Sequence, residues 1–362
     1  MTLATAPLCF DTLVVGAGQA GLAAAYYLQQ AGVAFCVLDA APAVGYSWSQ
    51  RYDSLRLFSP AWVSGLPGYA WPGPRLHYPS KDEAAAYLRD YAAHFRFPIA
   101  LNQRVERLRA APNGRYHVST AAGTVYEARR VIIATGPYSG PAIPAFAAHL
   151  PSSVLQLHSQ QYQRPAQLPG AGPVAVVGSG NSALQIAADL AGTGRPVFVA
   201  FDEKTPSVPN NQLTWSALLL FGLIRIPRHT RLGRFIHQQP EPVVSGDLTR
   251  LRGFANAHFM GRATGALPDG SLQGRLASTP PLQAVVWATG FRPDFSWLQL
   301  PILQPDGSPR HHRGLTEAPG IAFLGLQWLD SRRSALLNGA GPDARRVVQA
   351  LLRLPPDPAV LQ

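Results

Sequence analysis

The stretch FDTLVVGAGQAGLAAAYYLQQAGVAFCVLD, residues 10–39, determines the fold class of this chain. A short apolar run leads into Gly16, Gly18 and Gly21, which have the spacing GxGxxG and precede a helical pattern. A second apolar run ends on Asp39, 23 positions after Gly16. This order is typical of a dinucleotide-binding βαβ unit, in which the helix N-terminus binds pyrophosphate and the acid binds a ribose hydroxyl. A glycine-rich turn without a ligand is the alternative.

A second copy of the pattern lies in the stretch VAVVGSGNSALQIAADLAGTGRPVFVAFD, residues 174–202. The residues that take the fingerprint positions here are Gly178, Gly180, Ala183 and Asp202. Alanine is tolerated at the third position. Each copy is also followed by a similar apolar strand, VIIATG at residues 131–136 and VVWATG at residues 285–290. Two weak motifs with matching spacing indicate a tandem pair of dinucleotide-binding units.

The repeat predicts an α/β protein with two Rossmann-like dinucleotide-binding domains, which is the architecture of a two-dinucleotide-binding-domain flavoprotein. One domain is expected to bind a flavin and the other a nicotinamide cofactor. The predicted parts are residues 1–140 for the start of the FAD-binding domain, 141–172 for a linker, 173–290 for the NAD(P)H-binding domain and 291–362 for the returning part of the FAD-binding domain.

Further elements are predicted around the two fingerprints. Ser80 and Glu83 have the spacing of a capping box and predict a helix that runs to Phe95. The other predicted elements are a long ordered loop at 41–79, strands at 101–108 and 116–125, a buried strand at 320–326 and a C-terminal helix at 343–354.

Composition limits the possible functions. The net charge is +11, yet the arginines are scattered, so nucleic-acid binding is not expected. A diffuse positive field favours anionic dinucleotides, although codon bias explains the arginines equally well. The longest apolar run, residues 213–226, is interrupted by polar residues and is too short to span a membrane. We expect it to be a buried helix between the domains; the alternative is an amphipathic segment at the surface.

The cysteines and the N-terminus indicate a cytoplasmic protein. Cys9 and Cys36 are the only cysteines and form no CxxC pair, which excludes chemistry that needs two neighbouring thiols. The chain begins without the pattern of a signal peptide. No cluster has the spacing of a metal site, and His311 and His312 beside a turn are expected to be solvated.

Four stretches together resemble the class B flavin monooxygenases, especially the short bacterial and plant YUCCA-type members. They are VVGSGNSALQIAADL, YDSLRLFSP with the following YPSKDEAAAYLRDYAAHF, LHSQQY and VVWATGFRPD. The resemblance covers nearly the whole chain. It implies that the first domain holds FAD and the second holds NADPH.

The resemblance also implies a set of site residues. Those expected to bind the cofactors are Gly16, Gly18, Gln19, Ala20, Gly21, Asp39, Ala40, Ser47, Trp48, Val105, Ala134, Thr135, Gly136, His158, Gly178, Gly180, Asn181, Ser182, Lys204, Thr289 and Gly290. Arg56 and Ser59 are the catalytic candidates: Arg56 could neutralise reduced flavin or lie at the surface, and Ser59 precedes the position where animal relatives place an Asn near the flavin. Trp48 either touches the flavin or only packs.

The chain departs from the family in its identifying motif. His158 and Tyr162 match it, whereas Ser152 and Val154 replace the usual Phe and Gly. A Tyr rather than a Trp at 162 favours heteroatom or amine oxidation over Baeyer–Villiger chemistry. His158 is expected to link the domains rather than to transfer a proton.

The choice of nicotinamide cofactor stays open. Asp202 would repel a 2′-phosphate and suit NADH, whereas Lys204 would favour NADPH. Other cations that could favour NADPH are Arg225, Arg228 and Arg231.

The sequence therefore predicts an FAD-dependent, NAD(P)H-driven monooxygenase that oxygenates a small molecule with O₂ through a C4a-(hydro)peroxyflavin, as the resemblance implies. Residues 62–74 and 213–226 are candidates for the substrate wall. The rivals are a flavin-dependent oxidase or reductase without oxygen insertion, and a nucleotide-binding sensor without turnover. Substrate identity and oligomeric state are not predicted.

Overall fold

Two sheets with parallel cores organise the computed structural model, which describes residues 6–353. The first sheet contains the first fingerprint strand, and the second sheet contains the second fingerprint strand. The predicted α/β fold class is confirmed.

The first sheet is built around the strand Leu8–Val15, whose last residues are fully buried. Parallel neighbours lie on both sides of it, at Phe35–Leu38 and Val125–Ile133. From edge to edge the strands are Leu298–Gln299, Val105–Ala110, Tyr116–Thr120, Val125–Ile133, Leu8–Val15, Phe35–Leu38 and Ile99–Ala100, with Ile321–Phe323 also paired to Val125–Ile133. The C-terminal part of the chain thus returns to the first sheet, as predicted.

The second sheet repeats this arrangement. Its fingerprint strand, Val174–Val177, is fully buried and has parallel neighbours on both sides. In spatial order its strands are Ala257–Phe259, Val197–Ala200, Val174–Val177, Ala284–Trp287 and Leu155–His158. The internal repeat of the sequence is therefore a repeat of three-dimensional structure.

The described part of the chain also contains helices and three short two-stranded pairs. The α-helices are Gln19–Gln30, Tyr46–Ser49, Lys81–Phe95, Asn181–Ala191, Gln212–Leu220, Arg231–His237, Ser245–Arg252 and Leu337–Arg353. The 3₁₀ helices are Ala61–Val63, Ala145–His149, Pro165–Gln167, Leu223–Arg225 and Arg332–Ala335. The two-stranded pairs are Ser207–Val208 with Val243–Val244, Ala263–Ala266 with Leu272–Gly274, and Gly140–Pro141 with Phe291–Arg292.

The predicted capping box is confirmed. The Ser80 hydroxyl accepts a hydrogen bond from the Glu83 backbone N–H at 3.2 Å, and the Glu83 carboxylate accepts one from the Ser80 backbone N–H at 2.7 Å. Both orphan N–H groups are satisfied, so the helix begins at Lys81.

Four predicted elements differ from the structure. The segment 116–125 is not one strand, because the chain reverses at Gly123, whose φ is 80°. The strand predicted at 101–108 begins only at Val105, because Asn102 and Gln103 bond back to residues 39–41. The predicted linker 141–172 contributes the edge strand Leu155–His158 to the second sheet. The domain boundaries themselves stay a prediction. The C-terminal helix begins at Leu337, earlier than predicted, and residue 354 lies outside the described residues.

The expectation of a buried helix at residues 213–226 was wrong. The helix Gln212–Leu220 buries Trp215, but Leu213 and Leu220 are 81% and 80% exposed. Only one side of this apolar helix has a packing partner, in the loop around Val63. No helix in the range 6–353 is long and apolar enough to cross a bilayer.

The chain crosses between the two sheets twice, and the crossings are tied together. The outgoing segment Gly140–Pro141 pairs antiparallel with the returning segment Phe291–Arg292. Next to this pair, the Thr289 hydroxyl donates to the Ala142 carbonyl at 2.5 Å, and the Ala142 N–H donates to the Gly290 carbonyl at 3.0 Å. The crossings form one ribbon.

A side chain from the first unit also fills the core of the second. Tyr52, in the long loop before Ser80, is 3% exposed and packs in the hydrophobic cluster around the helix Asn181–Ala191. Its hydroxyl donates to the Gln185 side-chain oxygen at 3.0 Å, and burial raises its pKa well above the ordinary value. The neighbouring Asp53 forms an ion pair with Arg164 at 3.0 Å. The loop therefore joins the two units.

We predict that Tyr52→Ala destabilises the protein by about 3–5 kcal/mol, because it leaves a cavity between the two units. The matched variant Tyr52→Phe keeps the ring and loses the hydroxyl with its hydrogen bond to Gln185, at a cost of about 0.5–1.5 kcal/mol. Chemical denaturation measures both values. Equal losses in the two variants would contradict the packing role of the ring.

Candidate functional site

The first glycine-rich turn is held by contacts that only glycine permits. Gly16 has a φ of 107°, and a Cβ there would lie 2.6 Å from the Ala134 carbonyl oxygen. A Cβ on Gly21 would overlap the Gly16 carbonyl. By contrast, a Cβ on Gly18 would meet no atom within 4 Å. Two glycines therefore bring the backbone together, while the third leaves open space at the start of the helix.

The helix that follows, Gln19–Gln30, has an N-terminus suited to an anion. Its N-cap is Gly18, no side chain caps it, and its first turn holds no acidic residue. The helix after Ser80 differs, since it has a full capping box and two acids in its first turn. A helix N-terminus of the first kind offers its N–H groups and positive dipole end to phosphate oxygens.

Asp39 lies beside this turn, as the fingerprint predicts. Its carboxylate accepts hydrogen bonds from the backbone N–H groups of Ala17 at 2.5 Å and Ala41 at 2.8 Å. Its carbonyl accepts one from Gln103 at 2.7 Å, which brings the start of the strand at Val105 to the same edge of the sheet. Turn, acid and Val105 are thus grouped at one end of the first sheet.

The second turn has the same construction. Gly178 has a φ of 152°, and a Cβ there would overlap the Ala288 carbonyl. Gly180 is open and forms the N-cap of the helix Asn181–Ala191 without a side-chain cap. Ala288 is the counterpart of Ala134 in the first unit. The Asn181 side chain accepts a hydrogen bond from the Val244 N–H at 2.8 Å, which fixes the loop beside the turn.

A cation that the sequence did not reveal lies at the end of the second unit. Asp202 Oδ1 accepts a hydrogen bond from the Lys204 backbone N–H at 3.1 Å, and Asp202 Oδ2 is 3.9 Å from Arg262. Both cations are exposed. Arg262 is sixty positions from Asp202, so no local motif could have indicated it. Two arginines considered from the sequence lie elsewhere: Arg228 donates its backbone N–H to the Asp330 carbonyl, and Arg225 lies near Arg333.

His158 lies where the second unit meets the crossing. It is 1% exposed, its Nε2–H donates to the Gly290 carbonyl at 2.9 Å, and its Nδ1 accepts from the Gln160 N–H at 3.2 Å. Burial lowers its pKa below the ordinary value, Arg51 adds repulsion, and the bond to Gly290 opposes both. A neutral ring with both nitrogens bonded supports the predicted linking role.

Arg51 is a second residue that sequence reasoning missed. Its guanidinium lies 5.3 Å from the ring of Tyr138 and 5.2 Å from the ring of Phe291, and the His158 ring meets Phe291 edge-on at 4.8 Å. Arg51 comes from the first unit, while Phe291 belongs to the returning crossing. Cation–π contacts of this kind hold the crossing against the loop.

The remaining predicted site residues fall into two groups. Those beside the two turns are Gln19 and Ala20 in the first helix, Ala40 after the second strand, Thr135 and Gly136 after Ala134, Ser182 in the second helix, and Thr289 after Ala288. Those in the long loop are Ser47 and Trp48 in the helix Tyr46–Ser49, with Trp48 packed on the first core. Their contacts with a cofactor stay a prediction.

The two catalytic candidates already have protein partners. The Arg56 guanidinium is 3.6 Å from Glu83 and 59% exposed, which matches the surface alternative. Ser59 is buried, and its hydroxyl lies 2.9 Å from that of Ser64. Their catalytic roles stay a prediction. Across residues 6–353, no group of three or more His, Cys, Asp or Glu side chains is arranged to hold a metal ion.

Comparison with known proteins agrees with this geometry. The family described as pyridine nucleotide-disulphide oxidoreductase matches residues 13–216, which contain both glycine-rich turns. The chain belongs to this family. The family name refers to disulphide chemistry, but here Cys9 is exposed and Cys36 is buried, and they form no disulfide.

Relatives place the chain more finely within the pyridine nucleotide-disulphide oxidoreductase family. It is 40% identical to an uncharacterized oxidoreductase CzcO-like of Geobacillus kaustophilus, over 94% of this chain and 98% of the relative. It is 34% identical to indole-3-pyruvate monooxygenase YUCCA1 of Oryza sativa subsp. japonica, over 49% of this chain and 44% of that protein.

A solved structure supports the same placement. The flavin-containing monooxygenase from Stenotrophomonas maltophilia superposes with a TM-score of 0.77 and 29% identity, covering 95% of this chain and 98% of that one. The resemblance to class B flavin monooxygenases is thereby confirmed, and the chain is an oxidoreductase of that type.

We predict opposite outcomes for two neighbouring glycines. Gly16→Ala should lower the free energy of unfolding by about 1–3 kcal/mol, because its φ is positive and the new Cβ meets the Ala134 carbonyl. Gly18→Ala should leave stability within about 0.5 kcal/mol of the parent, since its backbone is extended and its surroundings are open, and should lower the FAD content. Denaturation and the flavin absorbance of purified protein measure the two effects. Full FAD content in Gly18→Ala would contradict the assignment of the first turn.

Proposed function

We propose that this protein is an FAD-dependent, NAD(P)H-driven monooxygenase that oxygenates a small molecule with O₂. The observation that carries the proposal is the repeated turn. In both units one glycine packs on the closing strand while the next leaves an open, uncapped helix N-terminus. Two such turns in one chain suit two dinucleotides, and the monooxygenases named above support the reaction type.

The residues of the first unit fit the ADP part of FAD. Gly18 leaves room for the pyrophosphate at the helix N-terminus, and Asp39 lies where it can accept a ribose hydrogen bond. Bound there, FAD would accept hydride from the reduced nicotinamide and react with O₂. The protein supplies binding, orientation and exclusion of water. These functions need no nucleophile–base pair, and the sequence predicts none.

The residues of the second unit fit a nicotinamide dinucleotide, and their charges favour NADPH. Gly180 leaves the N-terminus of the second helix open for the pyrophosphate. Asp202 alone would repel a 2′-phosphate, but the Arg262 guanidinium lies 3.9 Å from its carboxylate, and the exposed Lys204 follows it two positions later in the chain. A cation at this position is the usual means of accommodating the extra phosphate. We therefore propose NADPH as the physiological reductant.

Removing Arg262 should change the preference between the two reductants. Arg262→Ala is expected to raise the KM for NADPH about tenfold, because a charge-assisted contact with the phosphate is lost, while the KM for NADH stays the same. The matched control is Arg107→Ala, an exposed arginine on a strand of the first sheet. An equal rise for NADPH and NADH would show that Arg262 does not recognise the 2′-phosphate.

One series of experiments distinguishes the monooxygenase from the two alternatives, an oxidase or reductase without oxygen insertion and a nucleotide-binding sensor. NADPH added without oxygen should bleach the flavin; bound nucleotide without bleaching would instead favour the sensor. Turnover in isotopically labelled O₂ with amines, thioethers and keto acids should place one labelled oxygen atom in a product. Peroxide equal to the NADPH consumed with every compound, and no labelled product, would favour the oxidase or reductase.

A further inference from the structure

One segment of the surface is far more apolar than the rest. Of the thirteen large hydrophobic side chains that are exposed among the described residues, seven come from residues 208–235. They are Val208, Leu213, Leu220, Phe221, Leu223, Leu232 and Phe235. Leu213 and Leu220 are seven positions apart and lie on one side of their helix, and Phe221 directly follows it. We call this segment the 208–235 surface.

The exposed side chains lie on a helix that is firmly placed. Trp215, on the opposite side of the helix, is 6% exposed and stacks on Phe58 with 6.4 Å between ring centroids. Its indole N–H donates to the Asn210 side chain at 2.9 Å, and Asn210 in turn accepts from the Tyr78 hydroxyl at 3.2 Å. Asn211 caps the helix through the Thr214 N–H. The contacts with Phe58 and Tyr78 fix this helix on the long loop of the first unit.

The same segment carries only positive charge. From Lys204 to Pro240 the sequence contains no Asp or Glu. Four exposed arginines follow the helix, and they are Arg225, Arg228, Arg231 and Arg234. The next acid, Glu241, is ion-paired with Arg332 at 2.7 Å and therefore adds little opposing charge. Exposed leucines and phenylalanines are thus combined with an unopposed group of cations.

The combination of exposed apolar side chains and positive charge indicates which kind of partner fits this surface. A second copy of the chain on a two-fold axis would bring the same arginines together, and like charges there would repel. An anionic bilayer offers both an apolar interior for leucine and phenylalanine and negative headgroups for arginine. We propose that the 208–235 surface docks the protein onto an anionic lipid bilayer. The helix would lie in the interface, in agreement with its short length.

Vesicle flotation tests the proposal on the full-length protein loaded with FAD. The protein should float with vesicles of phosphatidylcholine and phosphatidylglycerol and remain unbound with phosphatidylcholine alone. Raising the salt concentration should weaken binding. The double variant Leu220→Ser, Phe221→Ser should reduce the affinity about tenfold or more, since two exposed apolar anchors are lost. The matched control is Leu76→Ser, Leu276→Ser, which removes side chains that are 53% and 60% exposed elsewhere.

Two double variants distinguish the local effect of the arginines in this segment from the effect of the net charge. Arg225→Gln with Arg231→Gln should weaken binding to anionic vesicles about fivefold for each arginine removed. Arg107→Gln with Arg275→Gln changes the net charge equally at exposed positions outside the segment and should leave binding unchanged. Thermal unfolding checks that all variants are folded.

Four results would overturn the proposal. They are no binding to anionic vesicles, equal binding to neutral vesicles, equal losses in a variant and its control, and a dimer in solution that the Leu220→Ser, Phe221→Ser variant abolishes. The last result would assign the surface to a second copy of the chain. FAD content and turnover are separate readouts, so the docking proposal stands or fails independently of the reaction.

Discussion

Two close backbone contacts determine the arrangement of this protein. Gly16 packs on the Ala134 carbonyl and Gly178 on the Ala288 carbonyl, in each case at a distance that leaves no room for a Cβ. Each contact presses the turn after one strand against the end of its neighbour. The following helix then begins at an open glycine and points an uncapped N-terminus past the edge of the sheet. A helix N-terminus of this kind is suited to a phosphate group.

The two glycine-rich turns must also keep a fixed position relative to each other. The paired crossings, the Tyr52 ring in the second core and Arg51 between Tyr138 and Phe291 all act at the boundary of the two units. They join the units by burial, hydrogen bonds and cation–π contacts together. Hydride transfer between two bound cofactors depends on such a fixed arrangement, because the reacting atoms must be held near contact distance.

The sequence predicted what local spacing encodes. The glycines, Asp39 and the Ser80 capping box depend on residues a few positions apart or on one βαβ unit, and all of them are found. Arg262 beside Asp202 and Tyr52 in the second core depend on the tertiary fold, and no local pattern encodes those contacts. The helix Gln212–Leu220 was wrongly predicted to be buried for another reason. An apolar run looks the same whether protein or another apolar phase covers it.

The order of the strands has a consequence for biosynthesis. The second unit is inserted into the first, since the first sheet is completed only by Leu298–Gln299 and Ile321–Phe323, after both crossings. During translation the inserted unit can therefore finish its sheet while its host still lacks two strands and the helix Leu337–Arg353. The first unit, whose fingerprint strand leaves the ribosome first, is therefore the last to be completed.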